Sequence, residues 1–459
     1  MTDYRSRSMW LDGVPGELAP RASLPGPIDL DVAVVGAGYT GLWTAYYLKR
    51  ADPSLRIVML EAQVSGFGAS GRNGGWVTGF FSGPPRVYEA RGGRAGFMAL
   101  QRAMFETVDE VGRVVNEQAI EADFVKGGHL AVALGDAQAA RLREHVHEGR
   151  ARGLTVEDLR ELDGGELEAR LRIAGARGAS FSPHAARIHP AKLAAGLASA
   201  VERLGVVIHE GTPVSEVRAR EALTAAGAVS ARWIVRATEG YTAALSGLER
   251  SLVPMNSSMI VTEPLSDRAW EQIGWGGREV VGDGAHVFVY LQRTEDGRIA
   301  IGGRGVPYRF GSRTDGAGET ASATVETLRR KLTAMFPVTA GVQIDHAWSG
   351  VLGVPRDWSM SVDADLSSGI AWAGGYVGEG VAAANLAGRT LRDLITGNRS
   401  ELTDLPWVGR RPRRWEPEPL RWSAIRGVYA AYRRADSIER RTAAPSRLGR
   451  LIDAASGRR

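Results

Sequence analysis

The chain has 459 residues, 44% hydrophobic and 24% charged, the balance of a folded protein and too long for one ordinary core. It contains no cysteine, which excludes disulfides, cysteine metal sites, cysteine nucleophiles and a flavin tethered through sulfur. The net charge is +5, no run approaches the ~18 apolar residues of a membrane span, and the N-terminus lacks a secretory apolar core, so a cytoplasmic protein is expected.

In chain order, residues 1–28 are rich in Pro and Gly and are expected to wrap the surface irregularly. A buried strand over Leu30–Val35, a glycine turn, a helix from about Gly41 to Arg50 and a second strand over Arg56–Leu60 make a βαβ unit of a parallel sheet. Residues 64–85 form a long Gly/Ser-rich loop, too long for a compact domain without a purpose. Helix follows over 94–122, strands over 123–134, helix over 136–152, and a helix opened by Pro190 that runs to Leu204. Strands are expected at 206–209, 214–217 and 232–237. An antiparallel group then covers 259–262, 287–292 and 299–302, with a turn at Glu295-Asp296-Gly297. A helix over 319–335, a strand over 369–373, a second glycine turn and a helix over 381–395 complete the body.

Residues 405–459 carry fourteen arginines and five acids, an excess of +9 that leaves −4 for the rest. A nucleic-acid surface is one reading of such a tail, but no binding signature accompanies it. Leu420, Trp422, Ile425, Val428, Tyr429 and Tyr432 recur at helical spacing, so a helix docked on the body is preferred, also over a membrane-surface helix.

Gly36-Ala37-Gly38-Tyr39-Thr40-Gly41 lies between strand and helix, with Glu61 ending the next strand. Gly36 permits the tight turn, Gly38 a close approach to a pyrophosphate, and Gly41 helix–strand packing. The helix N-terminus faces the phosphates, and Glu61, followed by Ala62, suits ribose hydroxyls. A merely structural glycine turn would not also explain the placed acid. In Ser70-Gly71-Arg72-Asn73-Gly74-Gly75, four glycines counted from Gly68 leave amides open, while Arg72, Ser70 and Asn73 offer a cation and hydrogen bonds. The alternative is a flexible surface loop.

These segments resemble the D-amino-acid-oxidase-like flavoproteins, nearest the gamma-glutamylputrescine oxidase and sarcosine oxidase branch. Supporting segments are Ile188–Leu193, Gly205–Val214, Val235–Tyr241, Asp296–Gly303, Trp348–Gly350 and Gly374–Val381. The resemblance implies an α/β (α+β) fold: a Rossmann-like FAD-binding domain of the glutathione-reductase type with an antiparallel-sheet substrate domain. The expected ranges are 1–105, 180–252 and 346–400 for FAD, 106–179 and 253–345 for substrate, and 401–459 for a basic helical extension. It also implies that Val214 meets adenine, that Ala237-Thr238 pass the pyrophosphate, and that Gly375, Tyr376, Gly378, Gly380 and Val381 cap the flavin, a helix N-terminus facing its C2 carbonyl.

Where amino-acid-oxidising relatives often place an arginine carboxylate clamp, this chain has Leu352, so Arg304 or Arg293 would have to substitute. The loop carries no histidine, so FAD is expected to be noncovalent. The only lysines are Lys49, Lys126, Lys192 and Lys331, none in 286–305, which leaves oxygen or another acceptor open. No metal is expected: His145 and His147 face different sides of a helix, and His184 and His189 have no evident acid.

The reading is oxidation of a small-molecule amine to an imine by hydride transfer to flavin N5, with Tyr290, Arg304, Trp348 and Tyr376 expected at the reacting centre. Tyr241 is expected nearby. Core packing is the plain alternative for each aromatic. Only a neutral amine releases hydride readily, and with no histidine–carboxylate pair in the matched segments, desolvation by the aromatic lining is expected to suffice without a protein base. An α-amino-acid oxidase or dehydrogenase, and a flavin-binding protein without turnover, are the alternatives.

Overall fold

The computed structural model describes residues 2–314 and 318–456. Met1, 315–317 and 457–459, which the expected domain ranges include, lie outside them. The strand Ile28–Val35 buries all four of its last residues and pairs in parallel with Ile57–Leu60 and Gly227–Arg236. Val207–His209 and Ile370–Gly374 extend the parallel order outward. Ser361–Asp365 closes one edge antiparallel, and Val214–Arg218 and Glu221–Thr224 form a meander into Gly227–Arg236.

Parallel neighbours need a crossover, which the helix Tyr39–Ala51 supplies. This helix is buried on nearly every side because the sheet, Pro190–Arg203 and Gly380–Thr396 enclose it. Gly388 is where two helices touch: a Cβ there would lie 2.7 Å from the Trp43 backbone carbon. The result is one apolar core reaching from Val32 through Trp43 to Leu391.

The second sheet runs Ile344–Val354, Val253–Thr262, Ile299–Gly303, Val289–Arg293, Val280–Asp283, His129–Val132, Ala179–Ser182 and Arg160–Leu162. All its pairings are antiparallel except that of Val280–Asp283 with His129–Val132. Val253–Thr262 is buried on both faces, ten residues where the alternating pattern had marked four. Ile344–Val354 pairs with it along its whole length, so the domain boundary expected at 346 cuts a strand of this sheet. The boundary expected at 180 cuts Ala179–Ser182 in the same way.

Three further differences have physical causes. Residues 13–27 run irregularly and mostly exposed, as expected, but Met9–Asp12 before them is helical and buries Trp10 and Leu11 against Met259, Val261 and Trp348. The 64–85 loop contains Trp76–Thr78, paired with Ala185–Arg187, because that short ribbon satisfies backbone groups the loop would otherwise bury. The long helix is Pro85–Glu117, broken at Gly93, whose positive φ of 61° no helical residue adopts.

The basic tail forms the helices Leu420–Thr442 and Arg447–Ser456. Trp422, Ile425, Tyr429 and Tyr432 face the body while Leu420 stays 63% exposed, so the docked stripe begins at Trp422.

Candidate cofactor and substrate site

The three glycines of the turn are needed for different reasons. Gly36 has φ +103°, and a Cβ on it would stand 2.8 Å from the Ala237 carbonyl oxygen. A Cβ on Gly41 would run into the carbonyl oxygen of Gly36. Gly38 lies against Ser70, whose hydroxyl accepts the Tyr39 amide at 2.9 Å. Glu61 accepts the Ala37 amide at 2.8 Å and the Gln63 amide at 3.0 Å, so it braces the turn from below. Burial pushes its carboxyl up, and those two amides oppose the shift.

A cavity of about 590 Å³ follows this turn, within the size range of small-molecule sites. Glu61, Ala62, Pro213 and Val214 line one part of it. Gly36, Gly38, Tyr39, Thr40, Ala237 and Thr238 line the turn, and Tyr376, Gly378, Gly380 and Val381 the start of the helix Gly380–Thr396. Tyr241 lines it too. A group with a pyrophosphate and two rings suits a groove whose turn a single Cβ would obstruct.

Gly41, Gly71, Gly75 and Gly375 line neither this cavity nor the one beside it. They are packing glycines: at Gly71 a Cβ would stand 2.5 Å from the Gly66 oxygen, and at Gly75 it would strike the Gln292 amide. At Gly375, with φ +76°, it would stand 3.0 Å from Pro355.

A smaller cavity of about 80 Å³ adjoins the groove and shares Ala69, Asn73, Leu352, Gly378 and Val381 with it. Trp76, Phe288 and Tyr290 supply its aromatic walls, Arg304 and Glu379 its charges, and Arg72 and Gly74 part of its edge. Tyr290 shares a 2.8 Å hydrogen bond with Ser257. Its ring fits only because Gly74 and Gly302, on either side, carry no Cβ. Burial raises its phenol, with Arg304 opposing. Among the described residues the buried Arg304 Nη1 has no hydrogen-bond partner. Glu379 ends the turn before the helix; burial pushes its carboxyl up to about 7 against the pull of Arg304.

Several expected site residues do something else. Trp348 lines neither cavity: it is 1% exposed, packs on Trp10 and donates its indole N–H to the Arg72 carbonyl at 2.9 Å. By strand alternation Trp348 shares its face with Gly350 and Leu352, which line the cavity, but the Arg72 loop and Trp10 cover it. Tyr376 lines the groove, its hydroxyl held to Thr40 at 3.0 Å, and not the smaller cavity. Asn73 donates both amide hydrogens to Ala69 and Ser70 and accepts the Gly75 amide, so it staples the loop. The Arg72 guanidinium stacks 4.2 Å over Phe67. Arg293 lies 3.9 Å over the Trp270 ring and lines neither cavity, so of the two arginines expected to hold a carboxylate only Arg304 is at the site.

His189 caps the helix opened by Pro190, accepting the Lys192 amide, and burial lowers it to about 4. His184 does have an acid, Asp158, at 3.0 Å, and stacks on Phe105. The described residues hold one group with metal-ligand spacing: His286, Asp436 and Glu439. Donors already occupy it, the His286 and Val287 amides on Asp436 and Arg141 on Glu439.

The sequence reading assigned no role to Trp76, Ser257, Phe288, Glu239 or Glu379. Glu239 and Glu379 were the legible ones, each a lone carboxylate within a glycine-rich cofactor segment. Glu239 accepts the Tyr376 amide at 3.0 Å, and burial pushes it up to about 7.

Residues 31–394 match the model of the FAD dependent oxidoreductase (DAO) family. Over 410 residues the chain is 31% identical to gamma-glutamylputrescine oxidoreductase of Escherichia coli (strain K12), covering 86% of this chain and 92% of that one. Glycine oxidase of Geobacillus kaustophilus (strain HTA426) is 24% identical over 377 residues, 80% of this chain and 92% of its own. The crystal structure of glycine oxidase from Geobacillus kaustophilus superposes with a TM-score of 0.71 at 20% identity, covering 84% of this chain and all of that one. L-proline dehydrogenase from P. horikoshii gives 0.66 at 18% identity, over 83% and 98% of the two chains. The glycine turn, the groove beside it and a family match spanning both sheets agree: the chain belongs to the FAD dependent oxidoreductases.

Proposed function

We propose that this oxidoreductase converts an amine CH–NH group to an imine, which water then hydrolyses to an aldehyde or keto product. The observation that carries the reading is the small aromatic cavity opening into the long groove beside Gly378 and Leu352. Bound FAD supplies the hydride acceptor. In this reading Gly36, Gly38 and Thr40 hold its pyrophosphate, Glu61 its ribose, and Val214 its adenine. The Gly378–Val381 turn fixes the flavin end beside the cavity. Trp76, Phe288 and Tyr290 exclude water and disfavour a charged amine. The first sheet thus serves the cofactor and the second the substrate. Similarity to a gamma-glutamylputrescine oxidoreductase and to glycine oxidase supports an amine substrate. Oxygen or another acceptor takes the electrons onward, and none of the four lysines lines either cavity.

Anaerobic mixing of the FAD-loaded protein with a panel of primary and secondary amines tests this: at least one amine should bleach the flavin. Normal chemical reduction of the flavin, with no bleaching by any amine, would overturn it.

The unpartnered Nη1 of Arg304 favours a second reading, in which the substrate amine also carries a carboxylate. Arg304→Ala should then raise KM for amino acids far more than for simple alkylamines.

A further inference from the structure

We infer that Glu379 receives the substrate's ammonium group in the reaction cavity and takes its proton before the carbon–hydrogen bond breaks. The inference rests on the amine-oxidising reading above and deepens it. Three observations carry it. Glu379 lines the small cavity beside the aromatic side chains of Trp76, Phe288 and Tyr290. Among the described residues no donor hydrogen-bonds its carboxylate, whereas Glu61 and Glu239 are each held by backbone amides. It also stands between Gly378 and Val381, which line both cavities, at the start of the helix Gly380–Thr396.

The other charged and titratable groups lining this cavity are Arg304, Arg72 and the Tyr290 phenol. Tyr290 is engaged with Ser257 and, raised by burial, stays neutral. Guanidinium groups do not lose their protons in proteins. Glu379 is therefore the one group among these that can change charge near neutrality. An alkylammonium resembles the lysine side chain, near ~10.4 in water, and is protonated at pH 7. Desolvation by aromatic walls and the nearby Arg304 cation both lower that basicity. An ionised carboxylate in hydrogen-bond reach then offers the proton somewhere to go.

The step balances without a further reagent. The N–H bond breaks and its proton passes to a Glu379 carboxylate oxygen, which leaves the electron pair on nitrogen. That pair becomes the second carbon–nitrogen bond as the α-carbon loses hydride to the family's cofactor. Water then adds to the iminium carbon, and the nitrogen leaves as ammonium (or as the parent alkylammonium), giving the carbonyl product. This base is a lone carboxylate, where the sequence offered no histidine–carboxylate pair and desolvation alone was expected to suffice.

The test uses tert-butylamine, which has no α-hydrogen and so binds without being oxidised, titrated into the FAD-loaded protein by flavin absorbance. Binding should tighten as pH rises through about 7, where Glu379 ionises. Glu379→Gln should weaken it roughly tenfold or more above that pH and abolish the pH limb, while Glu379→Asp retains it. With an oxidisable amine, the limb for anaerobic bleaching should stay fixed across substrates of different pKa and vanish in the Gln variant. Unchanged binding in Glu379→Gln, no binding at any pH, or a limb that follows the substrate's own pKa would overturn the inference. If tert-butylamine behaves as stated but no amine bleaches the flavin, Glu379 is a cation site and the amine-oxidising reading is the one that fails.

Discussion

Arg141 clasps Glu439 with two parallel hydrogen bonds, Nη1 to Oε1 and Nη2 to Oε2, both 2.8 Å long. The first residue lies on the helix Asp136–Arg152 of the body and the second on the arginine-rich helix Leu420–Thr442. Asp436, one turn earlier, accepts the backbone amides of His286 and Val287. The basic extension is thereby anchored to the body through Asp436 and Glu439, while Arg410 and Arg421 are themselves buried, paired with Asp357 and Glu418.

Arg141→Ala strips the partner from a buried carboxylate and is expected to destabilise the protein by about 3–5 kcal/mol, read as a urea midpoint. Burial alone would raise the Glu439 carboxyl, but Arg141, His286 and the Ser446 amide hold it well below the usual carboxylate range. A depressed carboxyl contributes stability that is complete above its unfolded value, near ~4.3, and is lost as pH falls below it. The wild type should therefore lose stability in acid more steeply than Arg141→Ala. Equal midpoints for the two proteins at pH 7 would mean that the clamp does not hold the extension.

Gly38→Val and Gly41→Val should purify with little or no FAD, by different routes. A side chain at Gly38 fills the approach to the groove beside Ser70, whereas at Gly41 it displaces the Gly36 carbonyl and thus the turn itself. Gly41→Val should consequently lower the melting temperature of the FAD-free protein, and Gly38→Val should scarcely change it. Glu61→Ala should weaken FAD by on the order of 1–3 kcal/mol, with some added loss of stability because the Ala37 and Gln63 amides lose their acceptor. Full FAD content in Gly38→Val would place the cofactor elsewhere.

What the sequence made legible was local and covalent in scale: the turn, Glu61, the glycine segment before Val381. Each has a short signature tied to backbone geometry. What stayed hidden depended on what covers each position along one strand face. Trp348 and Leu352 stand four apart on one strand, yet Trp348 packs under the loop and Leu352 lines the cavity. Glycines had a related ambiguity: Gly38 and Gly75 look alike in a string, but only one opens space for a ligand, and the other makes room for Gln292. Domain limits were misplaced for the same reason, since Ile344–Val354 joins the second sheet through pairing with residues some ninety positions earlier.

Acid or heat denaturation of the yellow protein should release intact FAD into the supernatant. The chain has no cysteine, and neither cavity has a histidine in its lining. Among the described residues no imidazole or thiol nucleophile borders the groove to tether the ring. Flavin absorbance remaining with the precipitated polypeptide would contradict this.

Glu239 should make the protein less stable in mild alkali than at slightly acid pH. Its carboxylate accepts the Tyr376 amide beneath the turn that lines the groove, and burial pushes its carboxyl up to about 7, only partly offset by the amides of Tyr376, Gly375 and Gly353. In the unfolded chain a glutamate ionises near ~4.3. Between those values the folded protein holds a proton that the unfolded chain has released, so each pH increment favours unfolding. The contribution is fully present below the unfolded value, falls across the interval and levels off once Glu239 is ionised in both states. Glu379 is raised by burial to a similar value and adds a slope of its own, so the two must be separated by substitution. Glu239→Gln keeps an oxygen that can accept the Tyr376 amide and removes the charge. Urea midpoints of the FAD-loaded variant at pH 5.5 and 8.5 should therefore differ less than those of the wild type, and those of the double variant with Glu379→Gln less still. The same pH slope in wild type and Glu239→Gln would show that this carboxylate is ionised in the folded protein throughout the range.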